Sequence, residues 1–482
     1  MIFINMSERL PEVTLFLETR AQSPKVWHEL AEISPLMVEI AESIGELTGT
    51  WNPVEILTPD PDNLKKEKEK FFEAFDKSED YNPVFDYSVA RGMDMDQPRA
   101  VLLERLGEVQ RIKPQSQKDR LFRIALYTKI RDDLATCDLV DGIKAGDEEL
   151  ISKSIEHKYG QADPILFQYA EQIYRDMISG AEAPGVDSSE ELLTPEQQKT
   201  LKSTKISAGE MKEDFEWVLD QYGILRTLTN PIGYQVRLSD SVTSIDVRDK
   251  SEEPMTVYIP EDRVNSAARV CELIAHEIEG HARQSMNGMK MFMLGGGRLK
   301  MDNEDLYEGL GMREEESFKL RFFGDFSGIP APWYTLAVKL ASEGASFSEV
   351  FKDIFDKQMR VQLKVDHEQE PQIDSQDYAQ QIEKVKKTAW AATYRTSRGH
   401  VDTSNPLGFA MTKDLGYLQG WLADKQLREA GYGGINEMAV IQSGGLQMLA
   451  RLGVEETDLP YPHKDIVKKY IFEVLLPRLE SK

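Results

Sequence analysis

Apolar residues recur every three or four positions along most of the chain, and that spacing predicts helix after helix. Leu102, Leu103, Leu106 and Val109 share one helical face, and Leu121, Ile124, Ala125 and Ile130 share another, within a run of helices expected from Gln97 to Gly180. The first eighty residues are also amphipathic and helical, and the charged stretch Lys65 to Lys70 fits a solvated helix face. Strict alternation is confined to the middle of the chain, at Tyr234 to Leu238, Thr243 to Val247 and Met255 to Ile259, which predicts three short strands. A helix from Met211 to Tyr222, stopped by Gly223, precedes them. The pattern gives an α+β fold, predominantly helical, with one small β-sheet.

Punctuation divides the chain further. Residues 181–200 are polar and carry Pro184, Gly185 and Pro195, which predicts a loop or linker. We therefore expect an N-terminal helical segment over 1–80, a helical domain over 81–200, a core over 201–432 that holds the sheet, and closing helices over 433–482. Tyr81 to Tyr87 forms an aromatic turn because Pro83 holds Asn82 extended, and its rings are expected to anchor packing.

Directly after the last strand, Val270, Leu273, Ile274 and Ile278 make one apolar helical face within Ser266 to Gly288, and His276 and Glu277 fall on the other side. His276, Glu277 and His281 therefore sit together on a largely buried helix. Zinc peptidases use two histidines, with a glutamate directly after the first, to bind the metal and to take a proton from water. With 7 histidines in 482 residues, such a match arises by chance on the order of 0.01 times per chain. The common motif separates its histidines by four residues, whereas here they are five apart. On a regular α-helix that turns the two rings about 140° from each other, too far to share one ion at roughly 2.0–2.1 Å. A metal site thus requires a π-type widening between His276 and His281, which the missing side chain of Gly280 would ease.

A catalytic zinc takes a third protein ligand. The next helix is announced by Asp302 and Asn303 and carries Glu304 and Glu308 one turn apart, either of which could face the metal. Glu314, Glu315 and Glu316 follow as an expected solvated run. The step Glu308-Gly309-Leu310, placed after an H-E-x-x-x-H helix, resembles the bacterial flavohaemoglobin expression-modulating QEGLA-motif proteins and their eukaryotic relatives, the microtubule-associated tyrosine carboxypeptidases. This chain has Tyr307 and Gly311 where that motif has glutamine and alanine. The resemblance covers roughly residues 80–450. It implies a zincin-like catalytic core, Zn2+ as cofactor with His276, His281 and Glu308 as ligands, and Glu277 as the general base.

Two later segments are also similar to the family, Arg395 to Gly399 and Thr412 to Gly420. The resemblance makes Arg395, Arg398 and Lys413 candidates for binding a substrate carboxylate, a task that suits the guanidinium fork, and Tyr417 a candidate for stabilising the oxyanion. The implied activity is a carboxypeptidase acting on the C-terminal tail of a peptide or protein. The histidine segment is also similar to that of dipeptidyl peptidase III, whose third glutamate lies farther along. A metal-binding regulatory protein without hydrolytic activity is the alternative from another class.

Charge and composition narrow the setting. A formal charge of −25 disfavours nucleic acid or an anionic membrane as partner. Residues Met1 to Asn5 lack the basic flank of a signal peptide, and a cytoplasmic location is the expectation. Cys137 and Cys271 are the only cysteines, too few for a disulfide framework, and Cys271 is expected to pack rather than bind metal. His28 has no partner pattern and is expected to be structural, His367 lies in a polar run before Pro371 and is expected to be exposed, and His463 beside Pro462 has no evident role.

Overall fold

The structure is a computed structural model that describes residues 34–48, 51, 56–161, 163–179, 193–231, 233–240, 242, 244–248, 255–292, 304–324, 331–363, 375–405, 407–432 and 461–481. The positions of His28 and His367, and the stretch 181–192 of the expected linker, lie outside these residues.

The chain is predominantly helical, as the apolar spacing predicts, and carries two small sheets where one was expected. β2 (Gln235–Ser239) runs parallel to β4 (Thr256–Pro260), and β3 (Asp246–Arg248) pairs with β4 antiparallel, so the order is β2-β4-β3 with β3 at one edge. β1 (Lys205–Ser207) and β5 (Val264–Ser266) form a second, two-stranded antiparallel sheet. The helix Ala208–Tyr222 begins in a reciprocal cap between Ser207 and Glu210 and ends on Gly223, whose φ of 70° lets the last turn close left-handed.

Part of the expected linker is a helix. Pro195–Ser203 is nucleated by a capping box in which Thr194 and Gln197 satisfy each other's backbone N–H groups, with Pro195 in the first turn. The expected solvated face at Lys65 to Lys70 is also incomplete. Glu67 is buried, and its carboxylate accepts hydrogen bonds from Tyr81 and from the backbone N–H of Val84. The aromatic turn is the reason: Phe85 and Tyr87 sink into the core and press this strand of chain onto the helix. Leu103 and Ile124 point outward, whereas their neighbours Leu102 and Ala125 are buried.

Apolar contacts group the chain into two cores whose membership differs from the expected segments. One gathers side chains from Met37 to Tyr174 with others from Leu336 to Leu427. The second gathers Leu193 to Met286 with Phe318, Phe322 and a C-terminal set from Tyr461 to Leu476. Helix Glu304–Phe323 joins them: Phe318 and Phe322 belong to the second core, and Met312 packs on the first. Side chains from Leu336 to Leu427 therefore complete the N-terminal helical core, and the C-terminal set from Tyr461 to Leu476 closes over the sheet side. Among the described residues, no helix is long and apolar enough to cross a membrane.

Candidate metal site

Ser266 caps the helix that follows β5 by accepting from the N–H of Arg269, and Val270, Leu273, Ile274 and Ile278 are all buried on its apolar side. From Ala275 to Ala282 the helix widens to π geometry, and the N–H of Arg283 reaches the carbonyl of Ile278 five residues back. The widening answers the five-residue spacing, since i→i+5 bonding returns position 281 to the side of the axis that 276 occupies. His276 Nε2 and His281 Nε2 are 3.1 Å apart, with the rings nearly perpendicular at 88°. Two nitrogens at 2.0–2.1 Å from one tetrahedral ion would be about 3.3 Å apart, so the pair fits a shared metal. His281 is buried, and His276 and Glu277 are partly exposed.

Helix Glu304–Phe323 crosses this segment on glycines. A Cβ on Gly280 would lie 2.8 Å from the Cα of Gly311, and one on Gly311 would lie 2.8 to 3.1 Å from three atoms of the His276 ring. Backbone therefore lies flat against the imidazole face, a contact that only glycine permits. The same helix meets helix Leu415–Glu429 at Gly309, where a Cβ would fall 2.4 Å from the carbonyl of Gly420. Position 308 precedes Gly311 by less than one turn. The side chains of Glu304 and Glu308, the two expected third ligands, lie outside the described residues.

The glutamates at 314 to 316 are not a solvated run. Glu314 is buried and takes Arg313 at 2.6 Å and Arg283 at 3.3 Å. Glu315 takes Lys319 at 2.6 Å and Arg269 at 3.1 Å through Oε1, with Oε2 3.5 Å from His276 Nδ1. Glu316 accepts from Trp421 Nε1 at 2.8 Å. Each of the three meets a partner on a neighbouring helix, Arg283, Arg269 and Trp421 in turn. Burial opposes ionisation of Glu315, but the neighbouring His276 ring, the hydrogen bond from Lys319 and the charges of Lys319 and Arg269 outweigh it and hold the carboxyl well below the usual range.

His463 acquires a partner set that its local sequence does not announce. It lies 3.4 Å from Glu314 and 3.8 Å from Glu279, on the side of the π-segment away from the histidine pair. Glu279 accepts from Tyr222 at 2.9 Å and from the N–H of Val467 at 3.1 Å. Glu279, Glu314 and His463 offer ligand atoms within 4.8 Å of one another, a set that could hold a metal ion. Burial opposes the charged imidazole, yet the two carboxylates outweigh it and raise the His463 pKa to about 10. Asn287 and Tyr461 exchange side-chain-to-backbone hydrogen bonds at 2.7 and 3.0 Å and fasten the same C-terminal stretch to the histidine-bearing helix.

The expected substrate residues gather in part. Arg395 is bidentate to Asp414, at 2.8 and 2.5 Å, and its guanidinium lies 3.4 Å from the hydroxyls of Tyr417 and Tyr334. Arg398 lies over the Tyr394 ring at 5.2 Å, and Lys413 is half-buried beside Asp414. Cys271 is buried, and burial pushes its thiol well above the ordinary pKa, as a packing role requires. No family model and no curated protein matches this chain.

Proposed function

We propose that the protein is a zinc-dependent peptidase with a zincin-like core, acting as a carboxypeptidase on a peptide or protein C-terminal tail. The observation that carries the proposal is the convergence of His276 Nε2 and His281 Nε2 to 3.1 Å on a π-segment that also bears Glu277. His276, His281 and Glu308 would hold the ion. Helical spacing puts position 308 on the stripe of Gly311 and Glu315, which meets His276. The alternative cluster at Glu279, Glu314 and His463 is a poorer home for a cation, because Arg283 and Arg313 already lie against Glu314 and two donors already lie against Glu279.

Zinc, when bound, supplies Lewis-acid polarisation of the scissile carbonyl and of water. Glu277 takes the proton of the attacking water on its carboxylate and returns it to the departing amine nitrogen. A structural metal needs no such base, so the glutamate favours an enzyme over a metal-binding regulator. Arg395 is committed to Asp414, and its remaining contacts orient the Tyr417 hydroxyl, the proposed oxyanion donor. Recognition of the terminal carboxylate then falls to Arg398 and Lys413. The edge strand β3 packs near the π-segment and offers backbone groups to an extended peptide.

The test is incubation with a C-terminally diverse peptide library, followed by mass measurement, with Glu277→Gln as control. Trimming by one C-terminal residue, lost in Glu277→Gln by a factor of about 10²–10⁴ while zinc stays bound, is the expected result. Loss of N-terminal dipeptides points to the dipeptidyl-peptidase type, and an unchanged library points to the regulator.

A further inference from the structure

Glu315 divides its two oxygens between different tasks. Oε1 faces cations, Lys319 Nζ at 2.6 Å and Arg269 at 3.1 Å, whereas Oε2 faces His276 Nδ1 at 3.5 Å. The His276 ring is thereby bounded on three sides. Gly311 lies against its face, Glu315 stands at its Nδ1 edge, and its Nε2 points to the His281 ring. An ionised carboxylate accepts and cannot donate, so the tautomer it favours carries the proton on Nδ1 and leaves the Nε2 lone pair for an ion.

We propose that Glu315 is a positioning residue that fixes the tautomer and ring orientation of His276 and thereby sets the metal affinity of the His276 and His281 pair. The proposal rests on the zinc assignment above and adds to it a residue four positions past Gly311. Neutral imidazole in solution populates both tautomers, and only one of them presents a lone pair at Nε2. A carboxylate held 3.5 Å from Nδ1 biases the ring toward that tautomer before the ion arrives, and closing to hydrogen-bond distance it strengthens the ligand once the ion is bound. Lys319 and Arg269 hold the carboxylate in place through the other oxygen, so its orientation does not depend on the histidine.

Two measurements test this. The first is the ¹⁵N spectrum of the histidine rings in the metal-free protein, with His276 assigned by comparison with His276→Gln. The expected result is a proton on Nδ1 of His276 in the unaltered chain and loss of that preference in Glu315→Ala. The second is zinc affinity by chelator competition. Glu315→Ala should bind zinc about 10–100-fold more weakly. Glu315→Gln, which keeps an acceptor oxygen and nearly the same volume, should recover most of that loss and remains informative if the alanine variant does not fold. Lys319→Met removes one cation from Oε1 but leaves Arg269 to hold the carboxylate beside His276, so it should lose clearly less zinc affinity than Glu315→Ala does. A proton on Nε2 of His276 in the unaltered chain, unchanged zinc affinity in Glu315→Ala, or an equal loss in Lys319→Met would each overturn the assignment. Absence of zinc uptake by the unaltered chain would overturn the metal assignment instead, and the ring spectrum would still report on the contact between Glu315 and His276.

Discussion

Two clusters of metal-ligand side chains flank the same π-segment, and they differ in what already surrounds them. On one side His276 and His281 bring two nitrogens to 3.1 Å, close to the separation that one tetrahedral ion imposes. On the other, Glu279, Glu314 and His463 crowd within 4.8 Å, but Arg283, Arg313, Tyr222 and the N–H of Val467 contact the carboxylates as well. A cation entering the second cluster would have to displace buried charge pairs, and breaking such pairs costs several kcal/mol. Nearness of ligand types is therefore a weak criterion. The cations and donors already against Glu279 and Glu314 are what set the second cluster apart from the first.

The largest effect expected from this contrast is on zinc content. His281→Ala or Glu308→Ala should weaken zinc binding on the order of a thousandfold, as befits loss of one ligand in three from a site worth about 10–16 kcal/mol. His463→Ala should leave one zinc per chain. Elemental analysis of the purified variants checks both, and loss of zinc from the His463 variant with retention in His281→Ala would reverse the assignment of the two clusters.

A smaller effect is expected where the crossing helix touches the histidine. Alanine at position 311 would place a Cβ 2.8 Å from His276 Cε1, and overpacking of this kind costs about 1–3 kcal/mol. If the ring yields, zinc affinity drops roughly tenfold to a hundredfold, since 1.4 kcal/mol is a factor of ten. Gly309→Ala meets backbone instead of a side chain, so its cost should appear as a lower melting temperature. Equal melting temperatures and zinc affinities for both variants and the unaltered chain would show that the helices do not cross as closely as described.

The smallest effect is the pH dependence of the bracing cluster. The His463 pKa of about 10 lies above the ordinary value near 6.5. A raised pKa means that the folded state favours the proton, so the stabilisation is complete below about pH 6.5 and is lost as the pH rises through about 10. His463→Gln should cost about 1.5–3 kcal/mol at neutral pH and progressively less as the pH approaches about 10. Denaturant unfolding of both proteins from pH 6 to pH 10 measures the difference, and a gap that widens with pH would contradict the ion pairing.

Much of the site's own helix is legible in the chain. The apolar positions 270, 273, 274 and 278 announce its buried side, Ser266 its start, and the five-residue histidine spacing the need for a π-widening, because each follows from local geometry. The strands at 235–239 and 256–260 and the stop at Gly223 are legible for the same reason. The capping box at Thr194 and Gln197 was also present in the sequence, hidden by the polar, proline-bearing stretch around it.

Other features depend on what covers a face, and periodicity carries no information about that. Three successive glutamates at 314–316 look like a solvent-facing run until the histidine-bearing helix, helix Leu415–Glu429 and the C-terminal stretch close around them and give each its own partner. Nothing local announces that Arg395 donates through Nε and Nη2 to Asp414, nineteen positions on. His463 has no local pattern because its partners stand nearly two hundred positions earlier, at Glu279, and on a different helix, at Glu314. The sequence by itself determined which residues could serve as ligands and which helix would carry them. Only the tertiary structure decided which of them meet, since burial and charge pairing are properties of surfaces brought together from distant parts of the chain.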